Sequence, residues 1–316
     1  MELRGSATVL ILSKAVFARA LGVDETKVRR RVLGPLGEEA AAASFGQYIL
    51  TRHRAIAEAA LDILVNKFHF DAEDVLVDLV RAAVGLAAEG VLVPDIAQWR
   101  FLSTRMFDKG NHELGVRLAA AALSADPRNS FLAVKLSQLH REAGQPDQSV
   151  EVFRSSIHRA QGNRAFFTEW ATSEGRIGNA AVSVWLKAVS IADGTEMRPP
   201  DVKDTYLGLV GCAISFNTLF ERYRQPTFLF AAIASAKLCL NMPSLSETTQ
   251  NMLVQELEKS RRFDEAATRV PANHMQLFEQ GVQLAYEQRE VELPPIIPVP
   301  QKLTFAALKR FTKVLS

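Results

Sequence analysis

The chain has 316 residues, of which 48% are hydrophobic, so it is long enough to bury a continuous apolar core. Its 37 basic and 35 acidic residues give a formal net charge of +2, which excludes a general attraction of the whole chain to nucleic acid or to anionic membranes. Because runs of β-branched residues are few, the composition predicts an all-α fold.

The first part of the chain, residues 1–70, predicts a small domain of helices with one short strand. Residues 13–21 have the pattern of an amphipathic helix, and Asp24 is a suitable N-cap for a second helix. Residues 47–51 are rich in β-type side chains, and residues 55–65 return to a helical pattern. The order helix, helix, strand, helix is typical of a winged helix.

Basic residues on the second of these helices raise the question of DNA binding. They are Lys27, Arg29, Arg30 and Arg31. On a recognition helix, such side chains contact guanine edges or phosphates. However, successive positions point in different directions around a helix, Val28 and Val32 form its apolar face, and Asp24 and Glu25 place negative charge at the end that would enter the groove. We therefore expect a structural or docking domain, with a DNA-binding transcriptional regulator as the alternative.

Residues 71–93 are predicted to form connecting helices. The carboxylates Asp71, Glu73, Asp74 and Asp78 fall in the opening turns of such a helix, where they offset the helix dipole. Their positions therefore do not indicate an acid–base catalytic pair.

Three glycines, Gly110, Gly144 and Gly178, stand 34 residues apart, each at the turn of a helical hairpin. This period is typical of helical repeats, because one hairpin cannot bury its apolar face alone. In the first repeat, the first helix places its bulky and small residues at Trp99, Leu102, Ser103 and Met106. The second helix offers the small residues Gly115, Ala119 and Ala122 on one stripe, which allows two backbones to approach closely.

Later segments continue the repeats over residues 94–292. In the third repeat, Phe167 and Trp170 precede the turn, and Lys187 stands where a bulky apolar residue is expected. Beyond a loop that includes Pro199 and Pro200, further helices are predicted over residues 201–222, 227–241, 246–259 and 273–290, with a turn at 261–263.

The last part, residues 293–316, predicts a proline-rich strap followed by a basic amphipathic helix. All four of its prolines occur between Pro294 and Pro300, which favours extended chain. The helix carries Lys302, Lys309, Arg310 and Lys313 beside apolar residues. Such a helix docks on a partner, lies on a membrane or folds back on its own repeats, and we expect the last of these.

Two sets of residues resemble known families. The repeat pattern around Trp99, Leu102 and Gly110 resembles the tetratricopeptide repeat. The segments Ala18–Asp24 (ARALGVD) and Thr51–Glu58 (TRHRAIAE) resemble the region after the nucleotide-binding module in bacterial STAND-class signalling ATPases, where a winged helix precedes such repeats. The resemblance implies a cytoplasmic scaffold or sensor in a bacterial signalling or defence system, working with a separately encoded ATPase or effector.

The same resemblance implies a binding surface, because first helices line the inner wall of tetratricopeptide repeats. The first-helix residues predicted to contact a protein or peptide partner are Arg105, Lys135, His140, Arg141, Glu169 and Glu174.

Motifs for chemistry are missing from the sequence. It contains no G-x-x-x-x-G-K-S/T phosphate loop, no nucleophile elbow and no Cys/His cluster with metal-site spacing, so we predict a non-catalytic chain without cofactor or metal. Cys212 and Cys239 are predicted to be reduced core residues. No apolar segment reaches the roughly 18 residues of a membrane span, so we predict no membrane insertion.

Overall fold

The computed structural model describes residues 12–30, 34, 42–45, 48–51, 59, 62–63, 65–67, 69, 71–160, 162–193, 198–243, 245–263 and 273–312. The chain is predominantly helical, as expected for an all-α fold, and it divides into two compact units, Met1–Leu132 and Ala133–Ser316. The predicted boundaries after residues 70 and 93 both fall inside the first unit.

The first unit begins with two short helices and a small antiparallel sheet. The elements are β1 (Leu12–Ser13), α1 (Lys14–Ala20), α2 (Glu25–Val28), β2 (Ala42–Phe45) and β3 (Tyr48–Thr51). The strand order is β1-β3-β2, with Leu12 opposite Ile49 and Phe45 opposite Tyr48.

The sequence predicted several of these elements. The helix over residues 13–21 is confirmed as α1, the N-cap at Asp24 as the start of α2, and the strand over residues 47–51 as β3. Strands β1 and β2 were not predicted. Most of the helix expected over residues 55–65 lies outside the described residues.

Three longer helices follow in the first unit: α3 (Ala72–Ala88), α4 (Ile96–Asp108) and α5 (His112–Ala125). Asp71 caps α3 by accepting hydrogen bonds from the backbone amides of Glu73 and Asp74. Trp99 and Leu102 of α4 are buried in the same core as Leu114 of α5. A side chain at Gly115 would meet Phe107 Cβ at 2.9 Å, so this glycine sets the close approach of α4 and α5, as predicted.

The remaining elements are helices joined mostly by short turns. Helix α6 (Ser130–Glu142) begins in the first unit, and α7 (Pro146–Ser156), α8 (Arg164–Arg176), α9 (Ala180–Ile191), α10 (Val202–Tyr223), α11 (Pro226–Leu240), α12 (Glu247–Phe263), α13 (His274–Glu287) and α14 (Ala306–Thr312) belong to the second. The turn predicted at residues 261–263 is wrong, because these residues form the last turn of α12.

The three turn glycines have the same local geometry. Gly110, Gly144 and Gly178 have φ angles of +86°, +76° and +89°, which glycine adopts without strain. In each turn, the residue after the glycine donates its backbone amide to the carbonyl five positions earlier, as in the 3.0 Å bond from Asn111 to Met106. This hydrogen bond closes the C-terminus of the first helix and starts the second. The sequence period therefore corresponds to a repeated local structure.

The C-terminal segment folds back on the second unit, as expected. Ile297 of the strap is buried, and Trp185 donates its indole N–H to the carbonyl of Pro298 at 2.9 Å. Helix α14 is held at its start by Asp193, whose carboxylate accepts the backbone amide of Ala307 at 2.7 Å. Leu308 of the same helix is buried.

Candidate partner-binding site

The six residues predicted to contact a partner lie on three helices. Arg105 is on α4 in the first unit, Lys135, His140 and Arg141 are on α6, and Glu169 and Glu174 are on α8. Arg105 and Lys135 are both partly exposed. The structure brings Arg141 and Glu169 into direct contact.

The Arg141–Glu169 pair is well formed and mostly removed from solvent. Arg141 Nη2 donates to Glu169 Oε2 at 2.7 Å, and the two side chains are 11% and 26% exposed. Arg141 Nη1 also lies 3.4 Å from Ser173 Oγ, which in turn lies 2.7 Å from Ser149 Oγ. Because the guanidinium is fixed by several acceptors, α6 and α8 present one preorganised charged surface.

Glu174 and His140 do not belong to that surface. Glu174 is 0% exposed, and its carboxylate accepts hydrogen bonds from Trp170 Nε1 at 2.9 Å, Asn179 Nδ2 at 2.7 Å and Arg154 Nη2 at 3.0 Å. His140 is also buried, with Nδ1 2.9 Å from Gln145 Oε1 across the α6–α7 turn. Both side chains serve internal contacts, and their carboxylate and imidazole are not free for a partner.

One functional candidate, Lys187 of α9, was not selected from the sequence. Its side chain is only 7% exposed, yet Thr172 Oγ1, at 3.5 Å, is its one hydrogen-bond partner among the described residues, and no described carboxylate lies within salt-bridge distance. The sequence signal was its place in the third repeat, where a bulky apolar residue is expected.

Lys187 reaches this position because α10 has a glycine beside it. A side chain at Gly211 would overlap the ammonium end of Lys187, and one at Gly208 would overlap Ile191. The two glycines let α9 pack closely on α10, and the Lys187 stem crosses Gly211 toward Thr172 on α8. Its amine therefore lies beside Gly211 of α10 and within 3.5 Å of the Thr172 hydroxyl of α8.

Burial lowers the pKa of Lys187, because desolvation disfavours the charged form. Glu169 opposes this shift, and Arg141 adds to it. The neighbouring Cys212 has little influence at neutral pH, because burial raises its own pKa to about 12 and keeps it a neutral thiol. Cys212 and Cys239 are both buried and free, as predicted.

The four residues considered for DNA binding lie partly outside the described chain. Lys27, Arg29 and Arg30 are exposed, and Arg31 is outside the described residues. Lys27 Nζ lies 3.4 Å from Asp24 Oδ2. The side-chain hydrogen bond from Thr26 and the backbone amide of Lys27 lower the pKa of Asp24 to about 2, so a carboxylate charge stays on this turn. This charge opposes contact with a phosphate backbone.

A second candidate is a groove in the first unit, between α3 and α5. Its volume is about 620 Å³, and its charged lining residues are Asp74, Asp78, Arg81 and Arg117. These charges pair with one another: Arg81 lies 2.6 Å from Asp78, and Arg117 pairs with Asp74. The four charged lining residues of this groove sum to zero, so the groove shows no preference for an anionic or a cationic ligand.

Comparisons with known proteins gave no match to a family model, to a curated protein or to a solved structure. Within the described ranges, no group of three or more His, Cys, Asp or Glu residues is arranged to hold a metal ion. Across the same residues, every helix is too short or too polar to cross a bilayer.

Proposed function

We propose that the helices of residues 94–292 are tetratricopeptide-like repeats whose first helices bind a protein or peptide segment, and that the chain is a non-catalytic scaffold or sensor. The observation that carries the proposal is the Arg141–Glu169 pair, which joins two consecutive first helices at a partly exposed, preorganised surface. Lys135 lies on the same helix as Arg141 and is also partly exposed. Fixed side chains favour binding because less conformational freedom is lost when a ligand binds.

The resemblance to the C-terminal half of STAND-class ATPases suggests the biological setting. On that basis the chain is a cytoplasmic component of a bacterial signalling or defence system, and its partner is a separately encoded ATPase or effector. Residues 1–70, whose described part holds two short helices and an antiparallel sheet, then form a winged-helix docking domain. The Asp24 carboxylate beside Lys27 favours this role over DNA binding.

Peptide selection on the whole chain tests the proposal. A displayed library of short random peptides is selected on the wild-type chain, and an enriched peptide is synthesised and titrated calorimetrically. We expect Lys135→Glu to weaken binding about tenfold, or roughly 1.4 kcal/mol. Lys109→Glu makes the same charge change at an exposed turn position and should leave the affinity unchanged.

The proposal is wrong if no peptide is enriched, or if both charge reversals have the same effect. Titration with duplex DNA at two salt concentrations separates the regulator alternative, because binding through phosphate contacts weakens steeply as salt rises. We expect no salt-sensitive DNA binding.

A further inference from the structure

The side chain of Lys187 has unused hydrogen-bonding capacity in a nearly closed environment. A lysine ammonium has three N–H donors, whereas Lys187 has one acceptor among the described residues, the Thr172 hydroxyl at 3.5 Å. That distance lies beyond the usual range of a strong hydrogen bond. At least two of its three donors therefore have no acceptor among the described residues.

An amine is an unfavourable way to fill this position. Burying a charged or polar group without full pairing costs free energy, and methionine has a similar length without a polar end. Packing across Gly211 needs only a long, unbranched side chain, so it does not require the amine. The amine is therefore better explained by something that it binds than by the packing of α9 on α10.

The charges around Lys187 indicate which ligand would fit. The charged side chains that act on it are Glu169 of α8 and Arg141 of α6, while Cys212 of α10 is neutral. With Lys187 protonated, these side chains carry a net charge of +1. A single carboxylate balances that charge, whereas a phosphate monoester, with a charge of about −1.5 to −2, leaves an excess of negative charge in a desolvated site.

We infer that Lys187, which lies between α8 and α10 beside Thr172, binds an acidic side chain of the peptide partner. The inference rests on the proposed peptide-binding function and assigns the ligand chemistry of that surface. Arg141 is a positioning residue here, because its guanidinium already holds Glu169.

The sign of the pH dependence follows from the burial of Lys187. Burial lowers its pKa in the free chain, and a bound carboxylate raises that pKa because an opposite charge favours the ammonium form. Proton uptake therefore occurs at pH values between the free and bound pKa. Affinity for an acidic peptide should fall as the pH rises through that window.

Calorimetry with a matched peptide pair tests the inference. The probes are a glutamate-containing peptide enriched on the wild-type chain and the same peptide with glutamine in place of glutamate. Each is titrated in two buffers of equal pH and ionic strength but different ionisation enthalpy. We expect the wild-type chain to bind the glutamate peptide at least tenfold more tightly than the glutamine peptide, with net proton uptake at pH values between the free and bound pKa of Lys187.

Two variants locate the effect. Lys187→Met should remove both the glutamate preference and the proton uptake, while the thermal unfolding temperature stays equal or rises. Lys203→Met makes the same change at an exposed position of α10 and should alter neither.

If Lys187→Met retains the glutamate preference and the proton uptake, the inference is overturned while peptide binding stands. If the wild-type chain enriches peptides without acidic residues, only the inference fails; if it enriches none, both proposals fail.

Discussion

Two buried charges of the second unit, Glu174 and Lys187, have opposite surroundings. The Glu174 carboxylate accepts hydrogen bonds from three side chains on α7, α8 and the start of α9. Among the residues that the structure describes, Lys187 has a single long hydrogen bond, to Thr172. A fully paired buried charge belongs to the architecture, because removing either side leaves a costly unpaired group. A poorly paired buried charge lowers the free energy of unfolding, and no contact within the described chain fully compensates it. We therefore infer that its partner is a ligand.

The largest expected effect is on the Glu174 side of this comparison. Glu174→Ala leaves Trp170 Nε1, Asn179 Nδ2 and the Arg154 guanidinium without their shared acceptor. Breaking a buried charged pair from one side typically costs about 3–5 kcal/mol. We expect a loss of that size in the free energy of unfolding, measured by denaturant titration.

The control for this loss is an exposed carboxylate on α7, the helix that also carries Arg154. Glu151→Ala, on α7, should change the free energy of unfolding by no more than about 0.5 kcal/mol. Equal effects of the two substitutions would mean that Glu174 is not the structural centre that its contacts indicate.

The opposite sign is expected for the buried lysine. Lys187→Met keeps the unbranched stem across Gly211 and removes the desolvated amine. Burying a polar group without a full set of hydrogen bonds costs about 1–3 kcal/mol, and we expect Lys187→Met to raise the free energy of unfolding by about 1 kcal/mol because Glu169 partly compensates Lys187. Denaturant titration of both chains gives the difference.

The pH dependence of that difference has a definite direction. Because the pKa of Lys187 is lowered in the folded state, the unfolded state binds more protons between the folded pKa and the unfolded value of about 10.5. Wild-type stability therefore rises with pH across this window. The advantage of Lys187→Met should be greatest below the folded pKa and should shrink toward pH 10.5. An advantage that is constant with pH would show that the amine is not the cause.

The repeated hairpins and one contact between first helices could be predicted from the sequence. The hairpins were predictable because their turns need glycine at positive φ, and Gly110, Gly144 and Gly178 recur with a fixed period. The Arg141–Glu169 contact joins two residues that were both predicted at the partner surface.

Glu174 was assigned to that surface wrongly, because helical periodicity gives a face but not the donors that Arg154 and Asn179 bring from other segments. Lys187 was noted as a departure from the repeat, and its value as a site depends on Gly211, which only the packing of α9 on α10 brings beside it.

The smallest expected effect concerns the hydroxyl beside Lys187. Thr172→Val preserves the shape of the side chain and removes the one acceptor that the described part of the chain offers to Lys187. Because that contact is long and Thr172 is partly exposed, the free energy of unfolding should change by less than about 0.5 kcal/mol. Acidic-peptide affinity should also fall by less than in Lys187→Met, since the amine remains available to the carboxylate. A loss in stability comparable to that of Glu174→Ala would show that Thr172 pairs Lys187 fully, and the contrast between the two buried charges would disappear.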